Sequence, residues 1–172
     1  SFDTRRRAVL LAAAALLTTR PALVVPAGAA PAPGAAGDFN FLAGEWRIHH
    51  RRLKADKLWD EFQGEATCWT ILGGVGSLEE LRIPARDFSG LGIRLLEPKT
   101  LVWQDYWVNG KERGIGEPGL TGGFADGVGT FTASDTDGGT PVIYRGVWDE
   151  ITPRSHRWRQ GSSRDGGRTW EE

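Results

Sequence analysis

Residues 44–51, Gly44-Glu45-Trp46-Arg47-Ile48-His49-His50-Arg51, set Trp46, Ile48 and His50 in step with one another and Arg47, His49 and Arg51 between them. Successive side chains of a β-strand point to opposite faces, so this stretch reads as a half-buried strand with Trp46, Ile48 and His50 inward. On a helix the same three residues would point in different directions, and no apolar face would form.

The rhythm continues on both sides. Just before it, Phe39-Asn40-Phe41-Leu42 reads as a short irregular or helical turn whose aromatics plug one end of the fold. After it, short apolar runs separated by Gly, Pro and Asp predict strands near 45–54, 57–63, 65–72, 77–84, 89–97, 100–109, 127–133, 141–150, 154–161 and from 168 onward. Short connections, such as Glu97-Pro98-Lys99-Thr100 and Asp137-Gly138-Gly139, imply an antiparallel meander. A meander of this length exposes two edges unless it closes on itself. The expected fold is therefore all-β: a single antiparallel meander closed into an 8–10-stranded barrel. Such a barrel is just wide enough to be filled by side chains or to hold one small ligand. The chain runs out at Glu171-Glu172 directly after a turn and holds no Met, so it is expected to be truncated and to lack a last strand.

Composition bounds the possibilities further. A length of 172 residues suits one domain. Eight Trp need somewhere to pack, and 24 Gly punctuate a turn-rich chain. Cys68 is the sole cysteine, which excludes an internal disulfide and a paired-cysteine zinc site; it reads as a small buried apolar residue. The N-terminal segment is a separate matter. Arg5-Arg6-Arg7 precede an uncharged apolar run from Ala8 to Thr19, and then a Pro/Ala/Gly-rich stretch reaches Gly37. That order is a signal peptide's, and the run is too short to cross a bilayer. Ala27-Gly28-Ala29 supplies a cleavage site, so residues 1–29 are expected to be an export signal, 30–37 a flexible leader and 38–172 the barrel. The arginine cluster resembles a twin-arginine signal, with an ordinary secretory signal as the alternative. The expected location is periplasmic or secreted, without a stable membrane anchor. Residues 1–37 hold four Arg and one Asp, leaving the remainder at about −4, which argues against a nucleic-acid partner. Arg47, Arg51, Arg52, Lys54 and Lys57 then read as the solvated face of one hairpin.

Phe41-Leu42-Ala43-Gly44-Glu45-Trp46 resembles the G-x-W opening of lipocalin-like, or calycin, barrels, in which the Trp packs across the closed end. With the strand rhythm through Trp158, most of residues 38–172 resembles a calycin-like (lipocalin or fatty-acid-binding-protein-like) bacterial domain family of unknown function. The resemblance implies a cross-barrel Arg on the last strand, for which Arg157 and Arg159 are the candidates.

Candidate site residues follow from alternation. Trp46 and His50 face inward on the first strand, and His156, Trp158 and Gln160 share a face near the C-terminus, opposite Arg157 and Arg159. Trp69, Trp103, Trp107, Tyr144 and Trp148, together with Tyr106, are read as core or pocket-lining rings, and eight Trp are more than a small barrel needs for its core. The expected function is binding of a small hydrophobic or aromatic ligand by Trp46, His50, Trp69, Trp103, Trp107, Tyr144, Trp148, His156 and Trp158, with no catalysis and no metal. One alternative is a haem-binding barrel with His50 or His156 on the iron. Others are a cavity enzyme acting on a small apolar substrate and a solid barrel acting through its surface.

Ser163-Arg164-Asp165-Gly166-Gly167-Arg168-Thr169-Trp170 matches S-x-D-x-G-x-T-W, the Asp-box of sialidase-like propellers, and its single occurrence reads as a structural hairpin. The G-x-S-x-G, H-E-x-x-H and G-x-x-x-x-G-K patterns are lacking. Gly110 to Gly123 reads as a long glycine-rich loop at a barrel mouth, and Glu79, Glu80 and Asp105 as solvated charges.

Overall fold

The structure, a computed structural model, describes residues 33–172; the expected signal at 1–29 and the first residues of the leader lie outside them. Ten antiparallel strands form one meander: β1 (Gly44–Leu53), β2 (Trp59–Ile71), β3 (Gly76–Ile83), β4 (Phe88–Leu96), β5 (Trp103–Asn109), β6 (Gly114–Ile115), β7 (Leu120–Ala125), β8 (Val128–Asp137), β9 (Thr140–Thr152) and β10 (Ser155–Ser163). They pair in the order β1-β2-β3-β4-β5-β7-β8-β9-β10, with β6 beside β5, and the sheet curls into a half-barrel. The all-β meander expected from the alternation is thus the fold. β1 and β10 stand at the two ends of the pairing path.

Alternation decides what each face holds. Trp46, Ile48 and His50 pair with Ala66, Gly64 and Phe62 of β2, and Ala66 in turn with Leu81 of β3. Leu81 faces Gly90, Arg94 faces Asp105, and Trp103 faces Gly122, which faces Phe131. These residues make up the concave face, and Ala66, Leu81, Trp103 and Phe131 are all buried.

One end is closed by residues 39–42. The rings of Phe39 and Phe41 pack edge-on against Phe124 and Trp148, and Phe39 also against Trp103. The Trp46 indole donates to the Leu42 carbonyl at 2.6 Å, tying this plug to β1. The segment 34–38 is tied to the sheet. Gly34 donates to the Leu101 carbonyl, Gly37 to that of Gly74, and Asp38 accepts from the Trp103 indole at 3.0 Å.

Three strand assignments differ from expectation: from 168 onward there is a single bridge, Ser162 to Glu171, instead of a strand, and glycine bears on the other two. The stretches 57–63 and 65–72 are parts of one strand, β2, because Gly64 continues it. A Cβ at Gly64 would lie 2.3 Å from His50 Nε2, so the glycine makes room for the imidazole. β6 and β7 run through the glycine-rich stretch read as a loop. At Gly122 a Cβ would lie 1.9 Å from the Thr130 carbonyl oxygen, so glycine here permits close strand approach.

Gly122→Ala should therefore force β7 from β8 and lower the free energy of unfolding in urea by about 2 kcal/mol or more. Gly114→Ala, where an added Cβ meets nothing within 4 Å, should stay within about 0.5 kcal/mol of the parent. Equal effects at the two positions would refute the close-approach account.

Candidate functional site: the concave face

A buried cation lies on the concave face: Arg94 is 4% exposed. Its Nη2 donates to Glu79 at 2.5 Å, and its Nε lies 3.4 Å from Asp105, so one guanidinium from β4 is shared by carboxylates of β3 and β5. The reading of Glu79 and Asp105 as solvated charges is corrected: their side chains are 12% and 11% exposed, while Glu80, on the opposite face, is 49% exposed. Burial works against the charge on Arg94, but Asp105 and Glu79 together outweigh it and hold its pKa above the ordinary value. For Asp105 burial dominates and raises the carboxyl to about 6, against the attraction of Arg94. The guanidinium also faces two rings, with Cζ 5.3 Å from the centroid of Phe39 and 5.2 Å from that of Trp148.

Aromatic and histidine rings surround this cluster. His156 contacts Trp46, Trp148 and Phe41 at centroid distances of 4.3, 5.4 and 5.5 Å, and Trp158 packs on Trp148 at 4.7 Å. Towards the opposite end of the sheet His50, 2% exposed, stacks on Phe62 at 5.0 Å. Trp107 lies over Gly90, and Trp158 over Gly146. Several buried polar atoms on this face have no hydrogen-bond partner among the described residues: Arg94 Nη1, Trp107 Nε1, Trp148 Nε1, His156 Nδ1 and both nitrogens of His50.

Trp46, His50, Trp107, Trp148, His156 and Trp158 thus share the concave face, as alternation places them. Trp103 is fully enclosed against the plug, with Gly34 beneath its indole, and is core rather than lining. Tyr144, paired with Ala133 and Ser162, lies half-buried further along the sheet. Trp69 is corrected outright: one residue from inward-facing Cys68, it points outward, is 45% exposed, and lines a groove of about 360 Å³ with Leu91 and Val108. The half-buried Tyr106 alternates with inward-facing Asp105 and Trp107, and its hydroxyl donates to Gln104 at 3.0 Å.

Arg157 and Arg159 do not reach Trp46. Both donate to Asp149, at 2.7 and 2.9 Å, on the opposite face of β9 and β10, and His156 takes the position against Trp46 instead. Burial alone would raise the Asp149 carboxyl, but the hydrogen bonds from Arg157 and Arg159 outweigh it and lower its pKa. Of the basic hairpin, Arg51 pairs with Glu61 at 3.1 Å and Lys54 with Asp56 at 3.2 Å. The Ser163–Trp170 turn is a brace. Ser163 donates to Asp165, and Asp165 accepts from the Arg168 and Thr169 amides and the Thr169 hydroxyl. Trp170 beyond it packs under Arg145, 3.9 Å from ring centroid to Cζ.

Burial lowers the pKa of both His50 and His156 to about 4, with Glu79 offsetting part of the effect. Unfolded, each would protonate near 6.5, so between about 6.5 and 4 the unfolded state binds more protons and stability is lost as the pH is lowered. Asp105 acts in the opposite sense between 3.8 and about 6, where the folded state holds the extra proton. Two imidazoles against one carboxyl leave a net loss. The urea midpoint should drop from about pH 7 to about pH 4.5, and His50→Leu should make that drop shallower. An unchanged slope in the variant would mean that His50 is not held neutral by burial.

Comparison of this chain with protein-family models gives no match, and comparison with curated proteins gives none, so its functional reading rests on the concave face itself.

Proposed function

We propose that this chain is an exported, calycin-like barrel, periplasmic or secreted, that binds a small hydrophobic or aromatic ligand against its concave face. The observation that carries the reading is the concentration of Trp46, Trp107, Trp148 and Trp158 with His50 and His156 on that one face, beside buried N–H groups that have no partner among the described residues. Aromatic walls with a few convergent polar groups are the usual make-up of a small-molecule site. The G-x-W opening and the Trp46 indole tied across the plug support the calycin likeness, and the arginine-led apolar N-terminal run supports export.

Binding is favoured over catalysis because the carboxylates of Glu79 and Asp105 on the concave face are both turned onto Arg94 and engaged there. The Cys68 thiol is pushed up to about 12 by burial, which leaves it protonated and unreactive at neutral pH. Haem fits poorly: His50 Nε2 is pressed against the Gly64 backbone, and His156 is ringed by Phe41, Trp46 and Trp148. Neither imidazole offers a flat slot for a porphyrin.

Titration with apolar aromatic compounds should quench the tryptophan fluorescence saturably. Ala66→Leu, which adds bulk beside Trp46 and Leu81, should weaken binding about tenfold, equivalent to about 1.4 kcal/mol. Added haemin should produce no sharp Soret band. No saturable quenching across a broad panel of aromatics and lipids would sink the reading, and quenching indifferent to Ala66→Leu would move the ligand off this face.

A further inference from the structure

The unpartnered groups on the concave face specify more than an apolar ligand. Three belong to residues linked through Trp148 near the plug, unpartnered among the described residues: Arg94 Nη1, Trp148 Nε1 and His156 Nδ1. Arg94 Cζ lies 5.2 Å from the Trp148 ring centroid, and the Trp148 and His156 rings are 5.4 Å apart. Arg94 and Trp148 are each 4% exposed, so their free N–H groups are shielded from solvent. Guanidinium and indole N–H groups only donate, whereas a neutral imidazole nitrogen adapts by tautomer. The complement of this cluster is a hydrogen-bond acceptor.

Charge narrows the acceptor. The single positive charge of Arg94 already faces Glu79 at 2.5 Å and Asp105 at 3.4 Å. A carboxylate or phosphate on the ligand would place a further negative charge beside two, against one cation, where low dielectric strengthens repulsion. A cationic head would leave the donors unanswered, and a pure hydrocarbon would bury them without partners. Resting on the proposed ligand binding, we infer that the ligand is an aromatic molecule with a neutral oxygen acceptor of carbonyl type, held by Arg94 Nη1 and Trp148 Nε1 at the plugged end of the concave face.

Three near-isosteric probes test this: ethylnaphthalene, acetylnaphthalene and naphthoate, substituted at the same ring position, compared by fluorescence quenching and calorimetry at neutral pH. Acetylnaphthalene should bind about tenfold tighter than ethylnaphthalene, and naphthoate more weakly than acetylnaphthalene. Trp148→Phe, which keeps a ring and drops the N–H, should bring the ratio of acetylnaphthalene to ethylnaphthalene affinity from about tenfold to near one, whatever the change in either affinity alone. Equal affinity for ketone and hydrocarbon, tightest binding of naphthoate, or a ketone preference that survives Trp148→Phe would each overturn the acceptor assignment while leaving ligand binding intact. Failure of all three probes to bind would overturn it together with the binding proposal.

Discussion

One buried cation fixes how the centre of this sheet is assembled. Arg94 is 4% exposed and meets carboxylates from the strands on either side of its own. Desolvating a guanidinium is costly, and removing one partner of a buried pair leaves an uncompensated charge, so β3, β4 and β5 are confined to the register that keeps all three groups on one face. A slip of one residue on β4 would turn Arg94 to solvent and bring Ile93 and Leu95 inward. The same cluster keeps the concave face from being a plain hydrocarbon core, because it places charge and free N–H groups beneath the rings. In this way the constraint that sets register also supplies the chemistry of the candidate site.

The rings depend on glycine in a comparable way. Trp107 covers Gly90, Trp158 covers Gly146 and His50 covers Gly64, at distances where any added Cβ would lie within 2.3 Å of a ring atom. Glycine in a strand ordinarily weakens it, because it brings no side chain to pack. Here a neighbouring ring supplies that packing, and the high counts of Trp and Gly are two aspects of one arrangement. It lets large side chains lie flat along the sheet, so that a half-barrel of modest size accommodates them.

The all-β meander was legible because alternation along Trp46, Ile48 and His50 is repeated in strand after strand, and burial of one face enforces it. The plug at 39–42 and the brace at Ser163–Trp170 were legible as local patterns. Less visible were features that depend on which strands become neighbours. Glu79, Arg94 and Asp105 are far apart in sequence, and each alone resembles an ordinary surface charge; the available signal was that each shares strand parity with buried neighbours, as Arg94 does with Gly90 and Gly92. β7 was hidden because its glycines argue for a loop until Thr130 is known to lie against Gly122. Trp69 was not legible from its size: its neighbour Cys68 occupies the inward position, and parity turns the ring outward.

The two ends of the pairing path explain how an open sheet keeps this interior covered. β1 and β10 have no mutual backbone pairing among the described residues, yet the rings of Trp46 and His156 meet at 4.3 Å across the seam, with Phe41 against His156. Side chains therefore do at this seam what a hydrogen-bond ladder does elsewhere. Unpaired edges invite association, and charged residues on an edge strand discourage it. Arg47, His49 and Arg51 line the outer face of β1, and Arg157 and Arg159 that of β10. On β10 the Asp165 turn adds a further protection, returning the chain so that Glu171 bridges Ser162 and Glu172 pairs with Arg145 and Arg159. The seam is thus bridged by rings on the concave side and guarded by charge on the convex side. Because His156 belongs to the seam and also to the donor cluster around Arg94, any displacement of β10 from β1 would alter the site directly.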